Sequence, residues 1–446
     1  MKTDHWGYEI TTHSESAAEA ISKSFAGLYQ FRTDSMPNIN TAIEADPDCG
    51  LAYIIKGLLL DGLKKPEMSA MGNEILQQVS NTKPPKTPRE KLYLKALEAT
   101  VTGQITQAVT CYQHIANQYP KDLFAMRMAQ SELFWIGEVG WMRDISEGAA
   151  AAWSKDTKDY ASFLSVRAVG LEENGDSEAA EKIGREALEI DPSNIWAAHA
   201  VAHTQIMRGQ HQQGIQLLEN LSNNWGTANH IKHHMWWHIA LFYIEHGDMT
   251  EALNIYDQKL RDLDSPLMQA IPDFYVDIQN DTSMLQRLEF RGVDVGNRWQ
   301  PIADLAATRV GNHLSPFTSA HCALALAAAE RWDTLDELIG NIESFIQDDP
   351  NPMAGRYALA VLPTCRAARA YHRKQYAKTV ALLMPVRRNL WQMGGSHAQR
   401  DVFYQLLINA AMREKQLDTV QLVLNEIRAI GLNHLEERSS YADCHN

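Results

Sequence analysis

Two turn glycines spaced 34 residues apart constrain the fold of this chain more than any other feature. They are Gly175 in LEENGDSEAA and Gly209 in IMRGQHQQGI, and at the same interval Ala168 aligns with Ala202. Glycine permits a sharp turn between two helices. Small residues at equivalent positions let antiparallel helices approach closely. The spacing therefore predicts a repeating helical hairpin.

The hairpin pattern recurs on both sides of these two units. The clearest predicted repeats cover 90–120, 160–192, 195–225 and 233–264, and degenerate repeats are predicted over 14–80 and 315–430. A helix, a turn and a helix in about 34 residues is the tetratricopeptide pattern. Because each unit buries its apolar face on its neighbours, we predict an all-α fold over 1–446. It consists of tetratricopeptide-like helical-hairpin repeats forming one curled right-handed solenoid. The segment 81–90 is expected to be a connector and 271–283 a longer loop.

Composition narrows the class of partner and the setting. The 55 acidic and 41 basic residues give a net charge of −14, which disfavours nucleic acid and anionic lipid as partners. The five cysteines are scattered without CxxC spacing, so neither a disulfide framework nor a cysteine zinc site is indicated. No signal peptide and no apolar run of membrane-spanning length is found. We therefore expect a cytoplasmic protein that binds neither nucleic acid nor membrane.

Histidine is concentrated in the middle of the array. Residues 199–246 hold eight of the 17 histidines. In a tetratricopeptide superhelix the first helix of each unit lines the concave surface. Helix geometry turns two i, i+4 pairs towards that surface, namely His199 with His203 and His234 with His238. The remaining four lie near turns or helix ends, where we expect solvated or capping roles for most of them: His211, His230, His233 and His246.

Three interpretations of the two histidine pairs remain open. The imidazoles can be hydrogen-bonded inside the array, they can line a pocket for a peptide or small molecule, or they can hold a divalent metal ion. Zinc, iron, nickel and copper all accept imidazole nitrogen. No HExxH motif is present, so a zincin-type protease is not indicated. Further candidates for the ligand-binding surface are Trp237, Glu172 and Arg143.

Several longer segments are not generic repeat features. They are FWIGEVGWMRD (134–144), GLEENGDSEAAEKIGREAL (170–188), WAAHAVAHTQIMRG (196–209), HMWWHIALFYIEHGDMTEALNIYD (234–257), SMLQRLEFRGVDVGNRW (283–299) and GGSHAQRDVF (394–403). From about Ser14 to about Ile430 the chain resembles the tetratricopeptide repeat protein 38 family. The resemblance implies a single α-helical repeat fold and a cytosolic protein, but it supplies no role for the histidines. One departure is Met235, where the family tends to have asparagine.

The segment GGSHAQRDVF has the features of a ligand-binding turn. Its two glycines permit a tight turn, after which Ser396 can cap the next helix. His397, Arg400 and Asp401 then lie in the first turns of a helix whose start can bind an anion. A buried Arg400–Asp401 network that fixes the C-terminal repeats is the alternative. Two further histidines are expected to precede an alanine-rich helix (CALALAAA) and could close the same groove from the other side: His313 and His321.

Two classes of function follow from these observations. One is a binding protein that holds a peptide, a protein or a small ligand in a concave, histidine-rich groove, and the sequence slightly favours it. The other is an enzyme or metal-binding protein that uses His199, His203, His234 and His238 in an enclosed cavity. Neither a nucleophile–base set nor a phosphate-binding glycine loop identifies a reaction.

Overall fold

The structure, a computed structural model, describes residues 1–348, 351–431 and 434–444. In these residues it is almost entirely helical, apart from a short antiparallel pairing of Lys2–Thr3 with Glu9–Ile10. No helix in the described part is long and apolar enough to cross a bilayer. The chain divides into two compact units: a first unit of Met1–Phe134, Glu138–Ala200 and Asn224–Asn229, and a second unit of Trp135–Gly137, Val201–Asn223 and His230–Asn446.

Helical hairpins build the first unit. Its helices are α1 (Glu15–Tyr29), α2 (Ser35–Ala45), α3 (Gly50–Asp61), α4 (Pro66–Thr82), α5 (Pro88–Val101), α6 (Ile105–Gln118), α7 (Leu123–Ile136), α8 (Val139–Ala149), α9 (Tyr160–Glu173) and α10 (Ser177–Ile190). The boundary between the two units falls inside the next helix, α11 (Ile195–Met207).

The second unit continues the pattern with shorter and more irregular helices. These are α12 (His211–Ser222), α13 (Ile231–His246), α14 (Met249–Ile255), α15 (Pro266–Ala270), α16 (Tyr275–Phe290), α17 (Trp299–Ala307), α18 (Pro316–Ala328), α19 (Trp332–Asp348), α20 (Pro352–Arg356), α21 (Leu362–His372), α22 (Tyr376–Leu383), α23 (His397–Arg413) and α24 (Leu417–Ala429). Two π-helical turns, Tyr256–Leu260 and Tyr357–Val361, follow α14 and α20. Short 3-10 helices cover Ala150–Ala152 in the first unit, and Gly296–Arg298, Arg387–Met393, Leu435–Glu437 and Ser439–Cys444 in the second.

The predicted hairpins are confirmed where the repeat signal is clearest. Gly175 and Gly209 join α9 to α10 and α11 to α12 with φ angles of +84° and +69°, which side chains disfavour. Later pairs such as α18–α19 and α23–α24 fall inside the predicted degenerate span 315–430, of which residues 349 and 350 lie outside the described residues. The all-α hairpin fold is thus established, while one continuous array over 1–446 stays a prediction.

The predicted loop over 271–283 is wrong, because most of that segment belongs to α16. This helix packs against α13, α18 and α23, so its whole circumference is buried. Polar side chains account for much of that buried surface: Asp277, Gln279, Asn280, Asp281, Thr282, Ser283, Gln286 and Arg287. Such a helix has no apolar stripe, and hydrophobic periodicity cannot reveal it. α16 therefore brings a row of polar groups into the interior of the second unit.

Candidate metal centre

Three histidine side chains converge in the interior of the second unit. His203 comes from α11, and His234 and His238 come from one face of α13, since residues four apart lie above one another on a helix. The Nε2 atom of His238 lies 3.2 Å from Nε2 of His203 and 3.1 Å from Nε2 of His234. His203 is 1% exposed and His238 is 0% exposed. We refer to these residues as the imidazole trio.

The polar helix α16 fixes the orientation and protonation of one member of the trio. The Nδ1 atom of His234 lies 2.9 Å from Oδ1 of Asn280, so Nδ1 carries a proton that it donates to the amide oxygen. Burial lowers the pKa of His234 to about 4, although the Asn280 hydrogen bond acts in the opposite direction. His234 is consequently neutral near pH 7, and its Nε2 atom presents a lone pair to His238.

Hydrogen bonds within the trio cannot satisfy all three Nε2 atoms. A neutral imidazole carries one proton, so Nε2 of His238 can donate one well-aligned hydrogen bond, to His203 or to His234. The other contact is left weak or repulsive. A cation between the three lone pairs would satisfy all of them at once. Nitrogen ligands at 2.0–2.1 Å from a tetrahedral zinc ion lie about 3.3–3.4 Å apart, close to the separations of 3.2 and 3.1 Å.

His199 lies one helical turn before His203 on α11. Its side chain is buried, and its ring stacks on the indole of Trp196 with centroids 4.4 Å apart and an interplanar angle of 5°. The predicted i, i+4 relation to His203 is therefore present on a continuous helix. Within the second unit, the ligand atoms of His203, His234 and His238 lie within 4.8 Å of one another.

Two more histidines of α13 bind the same polar helix, contrary to prediction. Nδ1 of His230 lies 2.5 Å from Oδ2 of Asp277, and Nδ1 of His233 lies 3.1 Å from Oδ1. The prediction of solvated or capping roles is wrong for these two residues, because Asp277 gives both rings a buried partner. Burial alone would raise the pKa of Asp277, but the two imidazole hydrogen bonds hold it below its ordinary value. Of the other two, His246 is exposed, whereas His211 is buried at the first turn of α12.

Asp281 is a second buried carboxyl group on α16, one turn after Asp277. Burial raises its pKa to about 7, and the nearby charge of Asp277 acts in the same direction. The opposing influence is Arg261, whose Nη1 atom lies 3.3 Å from Oδ2. Two carboxyl groups and two imidazoles thus share this part of the interior.

Trp237 forms one wall beside the trio. Its indole is fully buried and stacks on the ring of His234 at 5.2 Å with an interplanar angle of 10°. The guanidinium of Arg287 lies 5.5 Å from the indole centroid, and its Nη2 atom donates to the carbonyl of Ala398 at 2.7 Å. Burial lowers the pKa of Arg287.

The turn GGSHAQRDVF has the predicted geometry. Gly394 and Gly395 have φ angles of +81° and +77°. The hydroxyl of Ser396 accepts from the backbone N–H of Gln399 at 3.2 Å, and the Gln399 side chain accepts from the backbone N–H of Ser396 at 2.9 Å. Ser396 is therefore the N-cap of α23, in a capping box.

The start of α23 also carries His397, whose pKa is influenced by His203 of the imidazole trio. Burial lowers the pKa of His397 to about 3, and the charges of Arg400 and His203 act in the same direction. Nη2 of Arg400 lies 3.3 Å from Nδ1 of His397, and its Nη1 donates to the carbonyl of Gly395. Arg400 thus holds the turn at Gly395 and contacts the ring of His397.

Asp401 is tied to the C-terminal segment. Its Oδ2 atom accepts from Nη2 of Arg438 at 2.9 Å and from Nε2 of Gln405 at 2.8 Å, and Oδ1 accepts from the hydroxyl of Tyr441. Arg438 also binds Glu245 at 2.6 Å. This buried network is organised around Arg438. It gives Asp401 a structural role.

Two predicted ligand-binding residues lie in the first unit. Arg143 is at the surface, with its side chain 43% exposed and its Nη2 atom 2.6 Å from Oδ1 of Asp144. Glu172 is buried near the end of α9. The structure does not bring Arg143 to a buried polar cluster.

The two histidines near the alanine-rich segment have different environments. His321 lies inside α18, not before it as predicted, because that helix already begins at Pro316. Its Nδ1 atom donates to the carbonyl of Phe317 at 2.8 Å, and burial lowers its pKa to about 3. His313 instead stacks on Phe345 with centroids 4.6 Å apart.

Sequence reasoning missed the partners that α16 supplies to the histidines. Asp277, Asn280 and Asp281 are spaced i, i+3 and i+4 in VDIQNDT, which places them on one side of a helix. This spacing of polar residues was the feature of the sequence that could have indicated a helix face able to bind the histidines.

Comparison with known proteins adds little. No family model matches the chain. A Rap protein complexed with competence and sporulation factor aligns at a TM-score of 0.42 and 15% identity, over 81% of this chain and all of that one. Naa15/Naa10 bound to HypK aligns at a TM-score of 0.25 and 11% identity, over 94% of this chain and 64% of that one. At TM-scores this low, neither likeness bears on the function.

Proposed function

We propose that this protein is a helical-repeat metalloprotein that holds a divalent transition-metal ion between His203, His234 and His238. The observation that carries the proposal is the position of the His238 Nε2 atom, 3.2 and 3.1 Å from two further Nε2 atoms. Three buried imidazole nitrogens that face one another are poor hydrogen-bond partners but suitable ligands for zinc, iron, nickel or copper.

The surroundings of the trio support the same role. Metal-ligating histidines commonly donate their other ring N–H to a fixed acceptor, which sets the tautomer and the ring orientation. Asn280 provides such an acceptor for His234 at 2.9 Å. His199, the remaining histidine of the predicted set, lies on the part of α11 that belongs to the first unit.

Burial of the trio favours a small occupant over an extended peptide. A peptide groove must present its side chains to solvent, whereas His203 and His238 are almost completely buried. Three protein ligands leave a coordination position for water or a small molecule, as in catalytic zinc sites. The second candidate function is therefore binding or conversion of a small acidic ligand at the metal. Arg400 favours it, because this cation contacts His397, whose pKa the charge of His203 also lowers.

We also propose that the chain belongs to the tetratricopeptide repeat protein 38 family and acts in the cytoplasm. The support is the resemblance carried by GGSHAQRDVF and by the two HxxxH elements, which generic helical repeats do not need. Nothing in the proposed metal site depends on this family assignment.

Metal analysis of untagged protein tests the proposed function. We expect His238→Ala to lose one metal ion per chain relative to wild type, while His246→Ala, at the exposed end of the same helix, retains it. Asn280→Leu should weaken zinc affinity by about 10- to 100-fold, because the orienting acceptor is removed. Unchanged metal content in His238→Ala, with the fold verified by circular dichroism, would refute a metal site at the trio.

A further inference from the structure

A second group of potential metal ligands lies beside the imidazole trio, on the same two helices. His230 stands immediately before α13, His233 lies in its first turn, and Asp277 comes from α16. Their imidazole and carboxylate ligand atoms all lie within 4.8 Å of one another. Two atoms bound to one ion at about 2.1 Å each can be at most about 4.2 Å apart. Small side-chain shifts would therefore allow all three to bind one ion.

Buried polar atoms in this group are left without partners. Among the residues that the structure describes, Nε2 of His230, Nε2 of His233 and Oδ1 of Asp281 accept or donate no hydrogen bond. All three side chains are more than nine-tenths buried. Unsatisfied polar atoms in a protein interior are unfavourable and uncommon. Because no hydrogen bond engages either Nε2 atom, both rings can carry their proton there when Nδ1 binds an ion, and Oδ1 of Asp281 is an oxygen that can act as a further ligand.

The charges of the group also point to a missing cation. Asp277 and Asp281 lie one turn apart on α16, and both are completely buried. The cation close to them is Arg261, which reaches Oδ2 of Asp281 at 3.3 Å. Asp277 is held by the two imidazoles. Arg261 thus contacts Asp281 and the imidazoles contact Asp277, and a divalent ion between the two carboxyl groups would add positive charge next to both of them.

We propose that His230, His233 and Asp277 bind a second divalent cation, with Asp281 as an additional oxygen ligand. The ion would bind the Nδ1 lone pairs, and each imidazole would stay neutral by carrying its proton on Nε2 instead of Nδ1. Two nitrogen and two oxygen ligands suit manganese, iron or zinc. His230 and His234 are four residues apart, so the two ions lie about one helical turn from each other. The site goes beyond the single-ion function proposed above and does not depend on it.

Zinc stoichiometry of the full-length, untagged protein tests the second site. The protein is stripped with EDTA, dialysed against zinc and analysed for bound metal. We expect two ions per chain in wild type and one in Asp277→Asn. We also expect one in His238→Ala and none in the double variant. Asp264→Asn and His246→Ala, at exposed positions, serve as matched controls and should keep two. If Asp277→Asn fails to fold, His230→Phe replaces it, since the ring already packs on Phe274.

The outcomes separate the two proposals. One ion per chain in wild type that Asp277→Asn retains and His238→Ala loses would overturn the second site and leave the trio intact. One ion that Asp277→Asn loses and His238→Ala retains would support the second site and refute the trio. Absence of bound zinc in folded wild-type protein would overturn both.

Discussion

The buried ion pairs of the first unit and the imidazole trio of the second unit are arranged in opposite ways. In the first unit, buried charges meet opposite charges within the chain. The Nζ atom of Lys64 lies 3.3 Å from Oδ2 of Asp61 and 3.0 Å from Oε1 of Glu132. The Nη1 atom of Arg89 lies 2.6 Å from Oδ2 of Asp4. In the second unit, His203, His234 and His238 instead bring like atoms together.

This difference distinguishes structural polar groups from functional ones. A buried ion pair supplies its own counter-charge within the chain, and removing one partner is costly. Imidazole nitrogens that face one another can instead bind a metal ion from outside the chain. Active and binding sites are often regions where local stability is sacrificed in this way. Substitutions in the two groups should therefore change the free energy of unfolding by different amounts.

Arg89→Leu should destabilise the first unit by about 3–5 kcal/mol. The substitution leaves Asp4 buried without its cation, which is the costly way to break a buried pair. Urea unfolding followed by circular dichroism measures the change. Arg185→Leu, which breaks the exposed pair with Glu181, should cost no more than about 0.5 kcal/mol. A loss below about 1 kcal/mol for Arg89→Leu would contradict a structural role for the buried Arg89–Asp4 pair.

Zinc at 100 times its dissociation constant should stabilise wild type by about 2.7 kcal/mol, because the ion binds the folded state alone. In His238→Leu, zinc should raise the free energy of unfolding by less than in wild type, and the difference is the contribution of zinc binding at the trio. EDTA should reverse the gain, and His246→Leu should retain it. Equal zinc stabilisation in wild type and His238→Leu would remove the metal role from the trio.

Acid should weaken the second unit through His321, a buried imidazole outside the trio. Its folded pKa of about 3 lies below the ordinary value of about 6.5, so the unfolded chain takes up the proton first as pH falls. The stability contribution is complete above pH 6.5 and is lost progressively towards pH 3. At pH 5 the loss is about 2 kcal/mol.

His321→Leu should remove that share of the pH dependence, while His246→Leu, at an exposed position, should leave it unchanged. Stability measured by urea unfolding at pH 7 and pH 5 provides the comparison. Equal pH dependence in wild type and His321→Leu would show that this ring does not contribute.

His238→Leu should destabilise metal-free protein by about 1–2 kcal/mol, less than Arg89→Leu, because the Nε2 atoms of His203 and His234 lose the contact with His238 and one buried hydrogen bond goes unmade. Urea unfolding in EDTA measures the effect. A large loss, comparable to that of Arg89→Leu, would mean that the trio is a structural network like those of the first unit.

The repeat architecture could be predicted because its signal is local and periodic. Turn glycines such as Gly175 and Gly209 adopt positive φ, and the helices between them have the expected lengths. The i, i+4 pairs of α11 and α13 followed from the same geometry. The sequence could not show which helix packs against these pairs, because contacts between distant segments produce no periodic pattern of residues in a single sequence.

The polar helix α16 shows where that reasoning fails. Its residues are buried by pairing with other polar groups, so the alternation that normally reveals burial is missing. Asp277 gives buried partners to His230 and His233, whereas their positions near turns or helix ends predict solvated or capping roles. Asp401 illustrates the same limit, because its partner Arg438 is 37 residues away.

Anomalous X-ray diffraction at the zinc edge shows directly whether a metal ion binds between His203, His234 and His238. Crystals of untagged wild-type protein grown with zinc should show an anomalous peak about 2.1 Å from the Nε2 atoms of His203, His234 and His238. That peak should be absent in His238→Ala. Absence of a peak among the three rings in zinc-grown wild-type crystals, with the Nε2 atoms joined by ordered water, would contradict the account.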